Sequence, residues 1–211
     1  MENSPPPTGT RADLINAALH LFGRDGFAAT STRTLAQQAR TNIASIKYHF
    51  GSKEALRLAC AEEVLRRIRV IAGPADAPPK LSPRQASQQI ELLFRAITAF
   101  LTRAPEAADT AGFLMREMTE GGPVLDLLHE RFLGDKHHQL CQLFAMVTGG
   151  DPEGEDTRLL VFSMLGQAIY FRIGQPVICR VMGWKTYGEA EAQAIADRLI
   201  ANLRATLGAE S

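Results

Sequence analysis

The chain has 211 residues, of which 45% are hydrophobic and 22% charged, with 23 Lys/Arg against 23 Asp/Glu. That balance is ordinary for a globular protein of one or two domains. It excludes a membrane span, because the longest apolar stretch of the C-terminal half, Leu159–Phe171, lies between Arg158 and Arg172 and falls short of the roughly 20 residues required. It also excludes a disulfide framework, because Cys60, Cys141 and Cys179 are few, odd in number and far apart.

The zero net charge hides an asymmetry. Residues 1–70 carry ten Lys/Arg and six Asp/Glu, and residues 71–211 carry thirteen and seventeen. A basic first part on an acidic remainder suits phosphate contact at one end. The opening MENSPPPTGT has neither the basic segment nor the apolar core of a secretory signal and reads as a disordered lead, and the three scattered cysteines fit a reducing cytoplasm.

The first expected helix is Thr10–Arg24, with Leu14, Ala17, Ala18, Leu21 and Phe22 on one stripe. Thr10 and Asp13 suit a capping box, and Gly26 suits the left-handed position after the helix. Two short helices follow in Thr30–Leu56. Thr30 or Ser31 can cap the first, which turns Leu35, Ala36 and Ala39 inward. Asn42 can cap the second, which turns Ile43, Ile46 and Phe50 inward and offers Ala44, Ser45, Lys47, Tyr48 and His49 outward. A short helix with such a face suits a DNA major groove. Ser52 caps a longer helix running from Lys53 to about Ile71, with Glu54 in its first turn.

Gly73–Pro83 is rich in Gly and Pro and marks a boundary, giving domains 1–72 and 73–211. Beyond it only helical patterns occur, so the expected fold class is all-α. The expected helices are Pro83–Thr102 capped by Ser82, Pro105–Met118, Val124–Val147, Asp156–Ile173, a short or irregular Gln175–Trp184, and Glu189–Leu207. Asp156–Ile173 is apolar round much of its circumference and should be buried on more than one side.

GFAATSTRTLAQQARTNIASIKYHFGSKEAL resembles the helix-turn-helix of the TetR family of bacterial transcriptional regulators, and the likeness runs without a gap from Arg11 to about Arg67. It implies a helix-turn-helix DNA-binding domain with a linking helix from about residue 53, followed by a helical effector-binding and dimerisation domain. It further implies a ligand-responsive repressor working as a homodimer on an inverted-repeat operator. The residues it assigns to DNA are Thr30, Arg33, Arg40, Asn42, Ala44, Ser45, Lys47, Tyr48, His49 and Lys53, with Lys53 as a phosphate contact. Two positions depart from the pattern. Arg40 stands where the family has Gly, at a turn that wants positive φ, and Lys47 stands where it has an aromatic residue.

FLMREMTEGGPVLD and FSMLGQAIYFRIGQPVICRVMGW further resemble TetR regulators of the cephalosporin/chloramphenicol-sensitivity type, which makes toxic small molecules plausible ligands. The Met and aromatic residues of this half suit either a packed core or an adaptable pocket. The expected lining is Phe94, Phe113, Arg116, Met118, Phe132, Phe162, Gln167 and Tyr170. Asp156–Ile173 and Glu189–Leu207 resemble the family's dimerising pair, with Leu199 and Leu203 expected at the interface.

No cofactor or metal is expected, since His137 and Cys141 one turn apart lack further ligands. Catalysis is not expected either, since Glu117 and Glu120 have neither a nucleophile nor a phosphate loop beside them. The alternative reading is a helical small-molecule or partner-binding protein without specific DNA recognition.

Overall fold

The computed structural model describes residues 8–103 and 105–208, and these form helices joined by short connections. In chain order they are α1 (Gly9–Asp25), α2 (Thr32–Gln38), α3 (Ile43–Phe50), α4 (Lys53–Ala72), α5 (Pro83–Arg103), α6 (Pro105–Glu120), α7 (Pro123–Leu128), a π-helical turn (His129–Leu133), α8 (Gly134–Thr148), α9 (Glu155–Ile173), α10 (Gln175–Met182) and α11 (Glu189–Leu207). Of the opening MENSPPPTGT, expected to be a disordered lead, residues 1–7 lie outside the described residues, while Thr8 is the N-cap of α1 and Gly9 and Thr10 are already helical. Among the described residues no helix is long and apolar enough to cross a membrane.

The chain forms two compact units. One holds residues 1–70 with 108–131, and the other 71–107 with 132–211. The first division falls close to the Gly/Pro-rich boundary, but 108–131, which covers most of α6 and all of α7, clusters with the N-terminal residues. This segment adds two Lys/Arg and five Asp/Glu, so the unit as a whole is far less basic than residues 1–70 alone.

In the N-terminal unit the core is built from one face of each helix. Leu14, Ala18, Leu21 and Phe22 of α1 are buried with Leu35 of α2, Ile46 of α3, Leu56, Cys60 and Val64 of α4, and Phe113 of α6. The expected capping box on α1 is absent, since Thr8 is the N-cap and makes no side-chain cap bond. Gly26 does adopt positive φ, at 89°.

Two buried carboxylates tie this unit together. Glu117 of α6 receives a two-pronged bond from Arg57 of α4, both arms 2.7 Å. Glu63 is held by Arg66 and Arg67, and Arg67 reaches on to Thr110 Oγ1 and Asn16 Oδ1. Burial alone would raise the Glu63 carboxyl, but the two guanidiniums outweigh it and hold the group below its ordinary range.

The C-terminal unit packs α5, α8, α9 and α11 round Ile90, Phe94, Leu140, Phe144, Val161, Met164, Ile200 and Leu203. Ion pairs Glu91–Arg204 and Arg95–Asp197 brace α5 against α11. Of Leu199 and Leu203, expected at a subunit interface, Leu203 is 0% exposed and belongs to this internal core, and Leu199 is buried at 4%. Helix α9 is covered on one side only. Thr157, Val161, Met164 and Ala168 face inward, whereas Leu159, Phe162, Tyr170 and Ile173 recur along an exposed apolar stripe.

The expected single helix 124–147 is interrupted by the π turn. Val124, Leu128, Phe132, Lys136, Leu140 and Phe144 are all buried at a spacing of four. In a helix of 3.6 residues per turn that spacing drifts by roughly 40° a step. A wider π turn takes part of the drift back.

Candidate DNA interface

The α2–turn–α3 segment is fixed by local hydrogen bonds that the sequence largely announces. Ser31 rather than Thr30 caps α2, its Oγ accepting from Thr34 N at 3.1 Å. Helix α2 ends in a Schellman arrangement, with Thr41 N donating to Ala36 O at 2.9 Å and Arg40 N to Gln37 O at 3.1 Å. That motif demands a left-handed residue, and Arg40 supplies it at φ 53°, the one non-glycine positive φ among the described residues. The turn expected of a glycine is therefore kept, at a strain of about 1 kcal/mol. Asn42 Oδ1 caps α3 by accepting from Ser45 N at 2.9 Å, and Ser52 Oγ caps α4 by accepting from Ala55 N.

The residues expected to meet DNA divide into two groups. Ala44, Lys47 and Tyr48 are exposed on α3, Tyr48 by 85%. Arg33 and Arg40 are exposed, and these two and Lys47 have no ion-pair partner among the described residues. His49 is half-buried, with its ring edge-on to Tyr48.

The other group is engaged internally. Thr30 is 3% exposed and its hydroxyl donates to Gly26 O at 2.7 Å, so it shapes the loop before α2 rather than facing solvent. Asn42 and Ser45 bond to each other, and Ser45 also to Thr41. Lys53 donates to the carbonyls of Phe27 and Thr30, both at 2.9 Å, and stands 4.1 Å over the Phe27 ring. Of its three donors, one is left for an outside acceptor. Ile43, expected in the core, is 47% exposed at the first turn of α3, and Phe50 is half-buried beneath Arg11.

The expected ligand lining is divided between the two units. Phe113, Arg116 and Met118 sit in the N-terminal unit. There Phe113 packs on Phe22, Arg116 donates to the carbonyls of Gly23 and Arg24 at the end of α1, and Met118 is exposed. In the C-terminal unit Phe94 and Phe132 are buried, Phe162 and Tyr170 lie on the exposed stripe, and Gln167 Oε1 accepts from Asn202 at 3.0 Å. His137 stacks on Phe162 with ring centres 4.1 Å apart, and its Nδ1 lies 3.6 Å from Cys141 Sγ. Sequence reading missed the Arg57–Glu117 and Arg67–Thr110 ties, which pair helices distant in the chain. It also missed the Glu63–Arg66–Arg67 cluster, whose three- and four-residue spacing was a readable signal.

Residues 14–60 match the profile described as bacterial regulatory proteins of the tetR family. Residues 86–210, more than half the chain, match that of the C-terminal domain of the HTH-type transcriptional dual regulator CecR. The chain belongs to the TetR family. Among its curated relatives, the HTH-type transcriptional dual regulator CecR of Shigella flexneri is 34% identical over 196 residues, 88% of this chain and 85% of that protein. Solved TetR-family structures share the fold at low identity. A regulatory protein from Rhodococcus RHA1 superposes with a TM-score of 0.72 at 17% identity, over 97% of this chain and 100% of that one. AibR, in complex with isovaleryl coenzyme A and operator DNA, superposes with a TM-score of 0.68 at 18% identity, over 92% and 97%. The protein is thus a helix-turn-helix transcriptional regulator of the TetR type.

Proposed function

We propose that this TetR-type regulator works in the cytoplasm as an effector-responsive repressor and that α3 is its major-groove reading element. The observation that carries this is the division of labour on α3. Its cap residues are spent on the fold, while the side chains of Ala44, Lys47 and Tyr48 project outward with no hydrogen bond to another side chain or carbonyl among the described residues. Lys47 offers a donor to base edges or phosphate, and Tyr48 an apolar face with a hydroxyl at its tip. Arg33 and Arg40 contribute phosphate contacts that hold the register, and Lys53 offers its remaining donor.

The protein acts as a homodimer through the exposed stripe of α9, Leu159, Phe162, Tyr170 and Ile173. Beside it α11 exposes Ala190, Ala194, Ala201 and Ala205. A row of alanines lets a second helix approach closely, and pairing these helices across a two-fold axis buries apolar surface that one subunit leaves in water. Two-fold symmetry requires an inverted-repeat operator.

An effector would bind the C-terminal unit and favour a dimer arrangement that DNA disfavours. The resemblance to regulators of cephalosporin and chloramphenicol sensitivity supports a toxic small molecule in that role.

An electrophoretic shift assay with the DNA flanking the protein's own gene tests the reading, with random DNA of equal length as control. A sharp complex with the flanking DNA that Lys47→Ala weakens is expected. Equal affinity for both DNAs at physiological salt would sink it.

A further inference from the structure

An open cleft of about 590 Å³ lies in the N-terminal unit, between α1, the turn after α2 and the start of α6. The volume is within the range of small-molecule sites. Asp13, Asn16 and His20 line it from α1, where spacings of three and four put them on one face. Arg40 lines it from the turn and Asp109 from α6. Ala17 and Ala39 between them are 6% and 8% exposed, and their small side chains leave the space open.

Part of the polar lining is spent on the fold. Asn16 Oδ1 accepts from Arg67 at 2.7 Å. Asp109 Oδ1 lies 2.9 Å from His20 Nδ1, and a carboxylate there requires an N–H. The rest is not spent. Asn16 keeps its amide hydrogens and Asp109 its second oxygen, and the side chains of Asp13 and Arg40 make no hydrogen bond or ion pair among the described residues. Arg40 also holds its guanidinium there from a backbone at φ 53°, a conformation that disfavours any side chain.

The cleft therefore offers carboxylates and a guanidinium that do not neutralise one another. A cation alone would be drawn to Asp13 and Asp109 and repelled by Arg40, and an anion alone the reverse. A chain with an ammonium at one end and a carboxylate at the other meets opposite charge at both.

We propose that this cleft binds a short-chain zwitterion, its ammonium on Asp13 and Asp109 and its carboxylate on Arg40. The site is separate from any effector site in the C-terminal unit. Its consequence for DNA rests on the proposed function, in which Arg40 holds a phosphate: a ligand carboxylate on that guanidinium competes with DNA for it.

The test uses the full-length protein labelled with ¹³C in the histidine rings, the His20 signal being assigned by its loss in His20→Gln. The probes are the ω-amino acids of four to six carbons, with the diamine and the diacid of each chain length, all at one pH. An amino acid should move the His20 signal and bind roughly two- to fivefold more tightly than its diamine or diacid, the worth of one exposed ion pair. Arg40→Gly, which relieves the turn, should erase the preference over the diamine. Asp13→Asn should narrow the preference over the diacid. A His20 signal that moves no further with any amino acid than with sodium chloride at equal concentration overturns the proposal. So does a diamine or diacid that binds as tightly as its amino acid, or a preference over the diamine that survives Arg40→Gly. In the operator shift assay the amino acid should weaken the complex of the wild type and not that of Arg40→Gly. An amino acid that moves His20 and leaves the wild-type complex unchanged would keep the site and overturn the phosphate role of Arg40.

Discussion

Gly23 of α1 and Gly112 of α6 meet where the two helices cross, and they are not equivalent. A methyl group on Gly23 would stand 2.8 Å from Phe113 N and 3.0 Å from Gly112 C, both backbone atoms that cannot swing aside. One on Gly112 would stand 3.8 Å from Gly23 Cα, an ordinary contact. Gly23→Ala should therefore force the helices apart and destabilise by about 1–3 kcal/mol. Gly112→Ala should be neutral or stabilising by up to about 1 kcal/mol, through helix propensity. Urea unfolding of the two variants checks this, and a loss of equal size in both would contradict the asymmetry.

Glu63 gives the fold a pH signature. Its carboxyl is held below its unfolded value of about 4.3, so its stabilisation is present above that pH and is lost as pH falls through the lower folded value. Glu63→Gln leaves Arg66 and Arg67 without their partner and should cost about 1–3 kcal/mol at pH 7. The gap between wild type and variant should narrow as pH falls below the unfolded value and through the lower folded one. A gap that is the same at pH 7 and pH 3 would assign the loss to packing instead.

On the DNA face the two classes of residue should behave differently. Lys47→Ala should weaken operator binding by about 1–3 kcal/mol if Lys47 meets a base edge. If it meets phosphate alone, specific and random DNA should lose equally and the salt slope should fall by about one. Arg40→Gly should relieve the left-handed strain and stabilise the fold by about 1 kcal/mol while removing a cation from the DNA side. Thr30→Val should act on stability rather than on the salt slope, because its hydroxyl serves Gly26 O.

Dimerisation separates α9 from α11. Tyr170→Lys places a charge on the exposed stripe and should yield a folded monomer in sedimentation. Leu203→Lys should unfold the subunit, since Leu203 lies wholly inside its own core. A Tyr170→Lys protein that remains dimeric would move the interface elsewhere.

Much of this was legible locally. The bounds of Glu189–Leu207 and the caps at Asn42, Ser52 and Ser82 follow from residue type and spacing, whereas the α2 cap was open between Thr30 and Ser31 and the left-handed turn at Arg40 was implied only by the family resemblance. What failed depended on partners distant in the chain. Periodicity gives the width of an apolar face but not its cover, so Leu203 and Tyr170 could not be told apart as core and surface. Arg116 looked like a pocket group because the α1 carbonyls it meets are 92 and 93 residues away. Ile43 fits the inward stripe of α3 by spacing, yet it occupies the first helical position, before that stripe reaches the core. The sequence analysis passed over Gly23 and Gly112, which lie inside two helical runs and meet where α1 and α6 cross.

The uncovered stripe on α9 bears on how the folded state is to be measured at all. If two subunits share it, unfolding one subunit first requires parting from another, so the midpoint temperature is set partly by mass action. Melting should shift upward with protein concentration in the wild type and hold still in Tyr170→Lys. A regulator present at few copies per cell would then work near the dilute end of that curve, where assembly and folding stop being separable events.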